Sequence, residues 1–187
     1  MKDDRRLIRE YLGGSDAAFE ALYDRHQRAL HSFAYHLLGQ AQDAEDLSQT
    51  AWLQAIRSLN TFQGRSSFRT WLHAIAMNLY RHQRRDSRLK TEPLDPEAAD
   101  SRQALTQAET ALTLRAALAT LDPEHREVLI LHEVQGFKYR EIATILSCPV
   151  GTVKSRVHYA MAALRAALDE SSDPEVNHDV RPRPAES

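Results

Sequence analysis

Apolar residues recur three and four positions apart along almost the whole chain, and apolar–polar alternation is sustained nowhere. That period is the α-helical one, so the chain is predicted to be all-α. A first helix is expected over about Asp4–Leu12, stopped by Gly13-Gly14. Ser15 or Asp16 caps a second, which continues to Leu38 and ends at Gly39. A third opens on Asp43-Ala44-Glu45-Asp46, where acids suit the positive end of the helix dipole, and runs to about Leu59. The stretch Asn60–Gly64 is a loop, and Ser66 or Ser67 caps a fourth helix reaching about Arg85. On that helix Phe68, Trp71, Leu72, Ile75, Ala76 and Leu79 form the predicted buried face.

After residue 86 the composition turns to Asp, Glu, Ser and Ala with Pro93 and Pro96, the mark of a flexible acidic linker. The expected organisation is two small helical domains, residues 1–86 and 105–168, with a linker at 87–104. A tail at 169–187, with three prolines and no apolar period, is expected to be disordered. In the second domain Tyr139–Leu146 forms a short helix, Ser147-Cys148-Pro149 breaks it, and an amphipathic helix follows through Val150, Val153, Val157, Ala160 and Leu164. Short helix, tight turn and longer helix make a helix-turn-helix. On the outer side of its second helix stand Thr152, Ser155 and Tyr159, flanked by Lys154, His158 and Arg156. Hydroxyl, cationic and imidazole groups on one helix face can reach base edges and phosphates in a major groove.

Charge sharpens this picture. The net charge of −2 hides strong segregation: residues 57–90 carry eight Lys/Arg against Asp86 alone, and residues 91–127 carry eight acids against three arginines. Residues 137–168 are basic again, five cations against Glu141. Two basic blocks separated by an acidic one point to two polyanion-binding surfaces. In the first block Asn78, Arg81 and Arg85 follow at steps of three and four, offering an amide to a base edge and guanidiniums to phosphates. The loop before that helix, with Asn60, Phe62 and Gln63, could wrap an extruded base, as single-stranded nucleic acid requires. Phe62 also fits a plainer role, as a hydrophobic staple near the helix start.

Other chemistry is not indicated. Cys148 is the single cysteine, which excludes an internal disulfide and a cysteine-based zinc site. His26, His31 and His36 share a helix but lie five apart, a spacing that does not stack on one face, so no metal is expected. There is no Gly-rich phosphate loop, no cofactor is implied, and an enzyme is the least favoured class. No apolar run reaches the roughly 18 residues of a membrane span, and Met1–Arg6 leads into no apolar leader segment, so a cytoplasmic protein without membrane insertion is expected.

Two motif sets then resemble one family. Asp43-Ala-Glu-Asp46-Leu-Ser-Gln49-Thr with Phe62-Gln-Gly-Arg-Ser-Ser-Phe68-Arg-Thr-Trp71 through Asn78 is similar to region 2 of extracytoplasmic-function (ECF) sigma factors of the sigma-70 family. Leu121-Asp-Pro-Glu-His-Arg-Glu-Val-Leu, Tyr139-Arg-Glu-Ile-Ala and Cys148-Pro-Val-Gly-Thr-Val-Lys-Ser-Arg156 resemble their region 4. The resemblance spans about residues 5–168 with both sets in the family's order. It implies a subunit that directs RNA polymerase to promoters. Asp46 and Gln49 would dock on the polymerase clamp coiled coil, with the flap as a further contact of the chain. Phe62, its loop and Asn78 would capture a flipped base of the −10 element. Lys154, Ser155, His158 and Tyr159 would read the −35 element, Tyr159 standing where relatives carry arginine. Promoter DNA, duplex and single-stranded, is thus an implied partner, as is an anti-sigma factor. Two other readings are a sigma mimic that sequesters an anti-sigma factor and a helix-turn-helix repressor; neither needs both the basic helix with Asn78 and the polar recognition face.

Overall fold

The computed structural model describes residues 3–90, 118 and 120–170, and among them there are helices and turns but no strand. Among the described residues the α-helices with both ends given are, in order, α1 Asp4–Leu12, α2 Asp16–Leu38, α3 Ala41–Ser58, α4 Phe68–Lys90, α5 Pro123–Leu129, α6 Tyr139–Leu146 and α7 Val150–Glu170. The all-α expectation holds. Gly39, at φ 80°, ends α2 with its N–H donated to Tyr35 O at 2.8 Å, the left-handed stop that only glycine takes without cost. Ser67 starts α4 by accepting the Thr70 N–H on its hydroxyl at 3.0 Å. α4 runs on to Lys90, past the predicted end near Arg85, so residues 87–90 of the predicted linker are helical. No proline or glycine stands between Arg85 and Lys90 to end it. Asp169 and Glu170, expected to open the disordered tail, are instead the last residues of α7, whose sequence has no proline or glycine after Gly151 to stop it sooner; the rest of the expected linker and tail lie outside the described residues.

The N-terminal four helices close around Leu22, Leu30 and Phe33 of α2, Leu47 of α3 and Leu72 of α4, all inaccessible or nearly so. Each such side chain contributes about 1.5–3 kcal/mol on burial, more than any surface ion pair supplies. An aromatic row, Tyr11, Phe19, Trp52, Phe68, with successive centroids 5.2, 5.9 and 6.1 Å apart, joins α1 to α4 through α2 and α3. The C-terminal helices pack around Val128, Leu131, Ile142, Ile145, Val153 and Val157. Asp122 precedes Pro123 at the first position of α5, where the missing N–H costs nothing. The segment Ile130–Val134 prolongs α5 with π-type winding: Gln135 N–H reaches five residues back to Ile130 O at 2.9 Å. Gly136, at φ 67°, then reverses the chain and delivers Phe137 to the interior.

The two helical units are packed together through α4. His73 of α4 lies between Phe33 (5.0 Å) and Phe137 (4.9 Å), one from each unit. The Arg69 guanidinium lies 4.1 Å over the Phe137 ring and donates to Gln135 O. Thr70 Oγ1 contacts Glu141 Oε1 at 3.4 Å. This packing explains a burial pattern wider than the periodicity predicts. Thr70, His73, Met77 and Tyr80 are buried as well, while Trp71 and Leu79 are only half-buried. A helix with neighbours on two sides needs two covered faces.

Candidate nucleic-acid interfaces

In the helix-turn-helix, α6 begins with Glu141 accepting the Lys138 N–H at 2.9 Å. It ends at Ser147, whose left-handed φ of 52° turns the chain without glycine; Pro149 then blocks any continuation. Val153, Val157 and Ala160 seat α7 against the core, which places Lys154, Ser155, His158 and Tyr159 outward. All four are exposed, Tyr159 at 63%, a large value for an aromatic ring. The Ser155 hydroxyl is turned back onto Thr152 O at 3.0 Å, so it must rotate to meet a base. Thr152 is half-buried. Arg156 does not join this surface: it reaches to α5 and pairs with Glu124 at 2.5 Å.

The second set divides. Asn78 and Arg85 are exposed, seven residues apart and therefore within about 20° of each other around α4. Arg81 lies about 60° to the side, toward the C-terminal unit. Its guanidinium is paired with Glu127 Oε2 at 2.5 Å and also donates to Leu146 O at 3.2 Å, capping the C-terminal end of α6. The Glu127 side chain is 1% exposed, and Arg84 stands 3.8 Å from its other oxygen. In the basic block, then, Arg69, Arg81 and Arg84 hold the two units together, and Asn78 and Arg85 remain open.

The loop after α3 forms one 3₁₀ turn, Leu59–Thr61. Phe62 is half-buried between Phe68 (5.9 Å) and Trp71 (5.2 Å), packing that a hydrophobic staple would make. Asn60 and Gln63 are exposed. The loop meets α4 at Trp71, seven residues or about 10 Å along the helix from Asn78. It borders instead a cleft of about 420 Å³ whose opposite wall is α1.

On α3, Asp46 and Gln49 are exposed, each tied to a neighbour one turn away: Gln42 Nε2 donates to Asp46 at 3.2 Å, and Gln49 Nε2 to Glu45 at 2.7 Å. Leu53, 55% exposed, extends the same face, although the motif around Asp46 and Gln49 does not include it. Its place four residues after Gln49 was the available signal. Among the described residues no cluster of three potential metal ligands exists, and no helix is long and apolar enough to cross a membrane.

Comparison with known proteins agrees with this division. Residues 22–89 match Sigma-70 region 2, and residues 111–164 match Sigma-70, region 4. The RNA polymerase sigma-H factor of Pseudomonas aeruginosa is 31% identical over 183 residues, covering 90% of this chain and 95% of its own. The ECF RNA polymerase sigma factor SigW of Bacillus subtilis is 30% identical, covering 88% of this chain and 96% of its own. Among solved structures, the sigma factor RpoE in complex with the anti-sigma factor NepR from Bartonella quintana superimposes with a TM-score of 0.66 at 28% identity, over 81% of this chain and 96% of that one. With both regions present in order, and relatives matched over nearly their full length, the chain belongs to the ECF sigma factors of the sigma-70 family.

Proposed function

We propose that this chain binds core RNA polymerase and directs it to a set of promoters, reading −35 duplex with α7 and holding unpaired −10 bases with the 59–64 loop and α4. The observation that carries this reading is the simultaneous exposure of two nucleic-acid-type faces on separate helices of one chain. Lys154, His158 and Tyr159 stand on α7, and Asn78 and Arg85 on α4. A repressor needs only the first face. A mimic of a sigma factor needs neither. The α3 face with Asp46, Gln49 and Leu53 supplies a mixed polar and apolar surface for the polymerase clamp.

The mechanism is one of binding without chemistry of its own. Contacts on −35 duplex fix the register. Contacts available only to unpaired −10 bases lower the free energy of the open state relative to the closed one, which shifts the melting equilibrium. The place of action is the cytoplasm, where polymerase and chromosome are. An anti-sigma factor is the expected negative partner, in line with the complex of RpoE from Bartonella quintana.

In vitro transcription with core polymerase on a promoter library tests this. Start sites should cluster downstream of a shared −35/−10 pair only when both chain and core are present. Transcripts independent of the chain, or none with it, would refute the reading.

A further inference from the structure

We infer that α1 is the second wall of the −10 site: Arg9 contacts the phosphate of the captured nucleotide, and Arg5 positions the loop that faces it. This rests on the reading of the 59–64 loop as the −10 site and adds residues that lie outside the family motifs quoted above.

Three observations converge. First, α1 and the loop are tied. Arg5 Nη2 donates to Gly64 O at 2.6 Å, and Gly64 is left-handed at φ 66°. A Cβ at Gly64 would lie 3.1–3.3 Å from the Arg5 guanidinium, so the bare glycine serves both the turn and the close approach. α1 is itself fixed at its start, where Asp4 pairs with Arg25 and, at 3.0 Å, with His26 of α2.

Second, the cleft between them has the size and lining of a nucleotide site. Its volume of about 420 Å³ falls within the about 300–1,000 Å³ of small-molecule sites. Ile8, Leu12, Leu59 and Phe62 give it apolar walls, and Asn60 and Gln63 bring amides that can meet a base edge. An unpaired base needs both an apolar face and an edge partner.

Third, the cation in the cleft is uncommitted. Arg9 follows Arg5 by one turn and lines the same cleft. Among the described residues its guanidinium has no hydrogen bond or ion pair, whereas Arg6 is held by Glu10 at 2.9 Å. Asp3 contributes one opposing carboxylate at the rim, against two guanidiniums. Arg5 is spent on the loop carbonyl, which leaves Arg9 to meet a phosphate.

The test is binding of a single-stranded −10 oligonucleotide by holoenzyme, formed from this chain and core polymerase, across a salt series. Arg9→Ala should weaken binding about tenfold at low salt and flatten the slope of log K against log salt by about 0.7, the value of one phosphate contact on a single strand. Arg9→Lys should keep the slope. Gln63→Ala should weaken binding at an unchanged slope. If Arg9→Ala matches wild type in affinity and slope while Gln63→Ala weakens binding, α1 is not part of the site and the loop reading survives. If neither variant weakens binding, the loop is not the −10 site and the proposal falls with it.

Discussion

Lys154 stands on the exposed side of α7 and has no ion pair among the described residues, whereas Arg156 two positions on is held by Glu124. Sequence alone cannot separate these two cations, because the difference lies in α5, 32 residues away in the chain. Lys154→Ala is expected to cost about 1–3 kcal/mol of promoter affinity and to relax preference at one −35 position. Holoenzyme binding to a set of −35 variants measures this, and undiminished affinity on all of them would remove Lys154 from the interface. His73 makes a prediction of a different kind. Burial pushes its pKa down to about 4, opposed in part by the bond from its ring to Arg69 O at 2.9 Å. In the unfolded chain the ring titrates near 6.5, so between pH 6.5 and 4 the unfolded state binds the extra proton. Stability should therefore be flat above neutral pH and fall as pH drops through that window, by roughly 3 kcal/mol in total. Burial lowers the pKa of His26 too, which acts in the same direction. Urea unfolding at several pH values, compared with His73→Gln, isolates the contribution; equal pH slopes would contradict it.

At the scale of elements, much was legible. The bounds of α1, α2 and α6 agree with those read from capping residues, glycine stops and apolar period. The signals are local there, and local signals survive in a single sequence. What was not legible depends on packing between elements. Nothing in the steps of three and four from Asn78 to Arg85 reveals that Arg81 is turned toward α5 and α6. Nor does the sequence reveal that the Phe62 loop faces α1 rather than Asn78. The exposed α3 face is the element-scale prediction. Asp46 is exposed and, among the described residues, its one hydrogen bond is from Gln42, so Asp46→Arg should weaken core binding with helical content unchanged. Pull-down with core polymerase beside circular dichroism checks both; unchanged capture would move the polymerase contact off α3.

For the whole molecule, the decisive feature is the closed arrangement of its two units. Arg81 cannot serve Glu127 and a DNA phosphate together, and a carboxylate 1% exposed is not left unpaired cheaply. Glu127→Gln keeps the shape and removes the charge. The loss should be about 2–3 kcal/mol of contact between the units, within range of what a hydrogen bond to a charged group supplies. The expected result is a larger radius of gyration by small-angle scattering at unchanged helical content; no expansion would show that apolar contacts such as His73–Phe137 hold the units without the ion pair. As the units stand, Asn78 and Arg85 are the open part of the α4 face, and Arg81 is committed to Glu127. The central claim, that this chain opens promoters by holding unpaired −10 bases on α4, is tested most directly by permanganate footprinting of promoter DNA. With core polymerase and the wild-type chain, thymines of the −10 element should become reactive, and Asn78→Ala should reduce that reactivity while leaving core binding intact. Partial recovery is expected on a template with a pre-melted −10 bubble. Equal reactivity in wild type and Asn78→Ala would contradict base capture by α4, and no reactivity with the wild type would contradict promoter opening by this chain altogether.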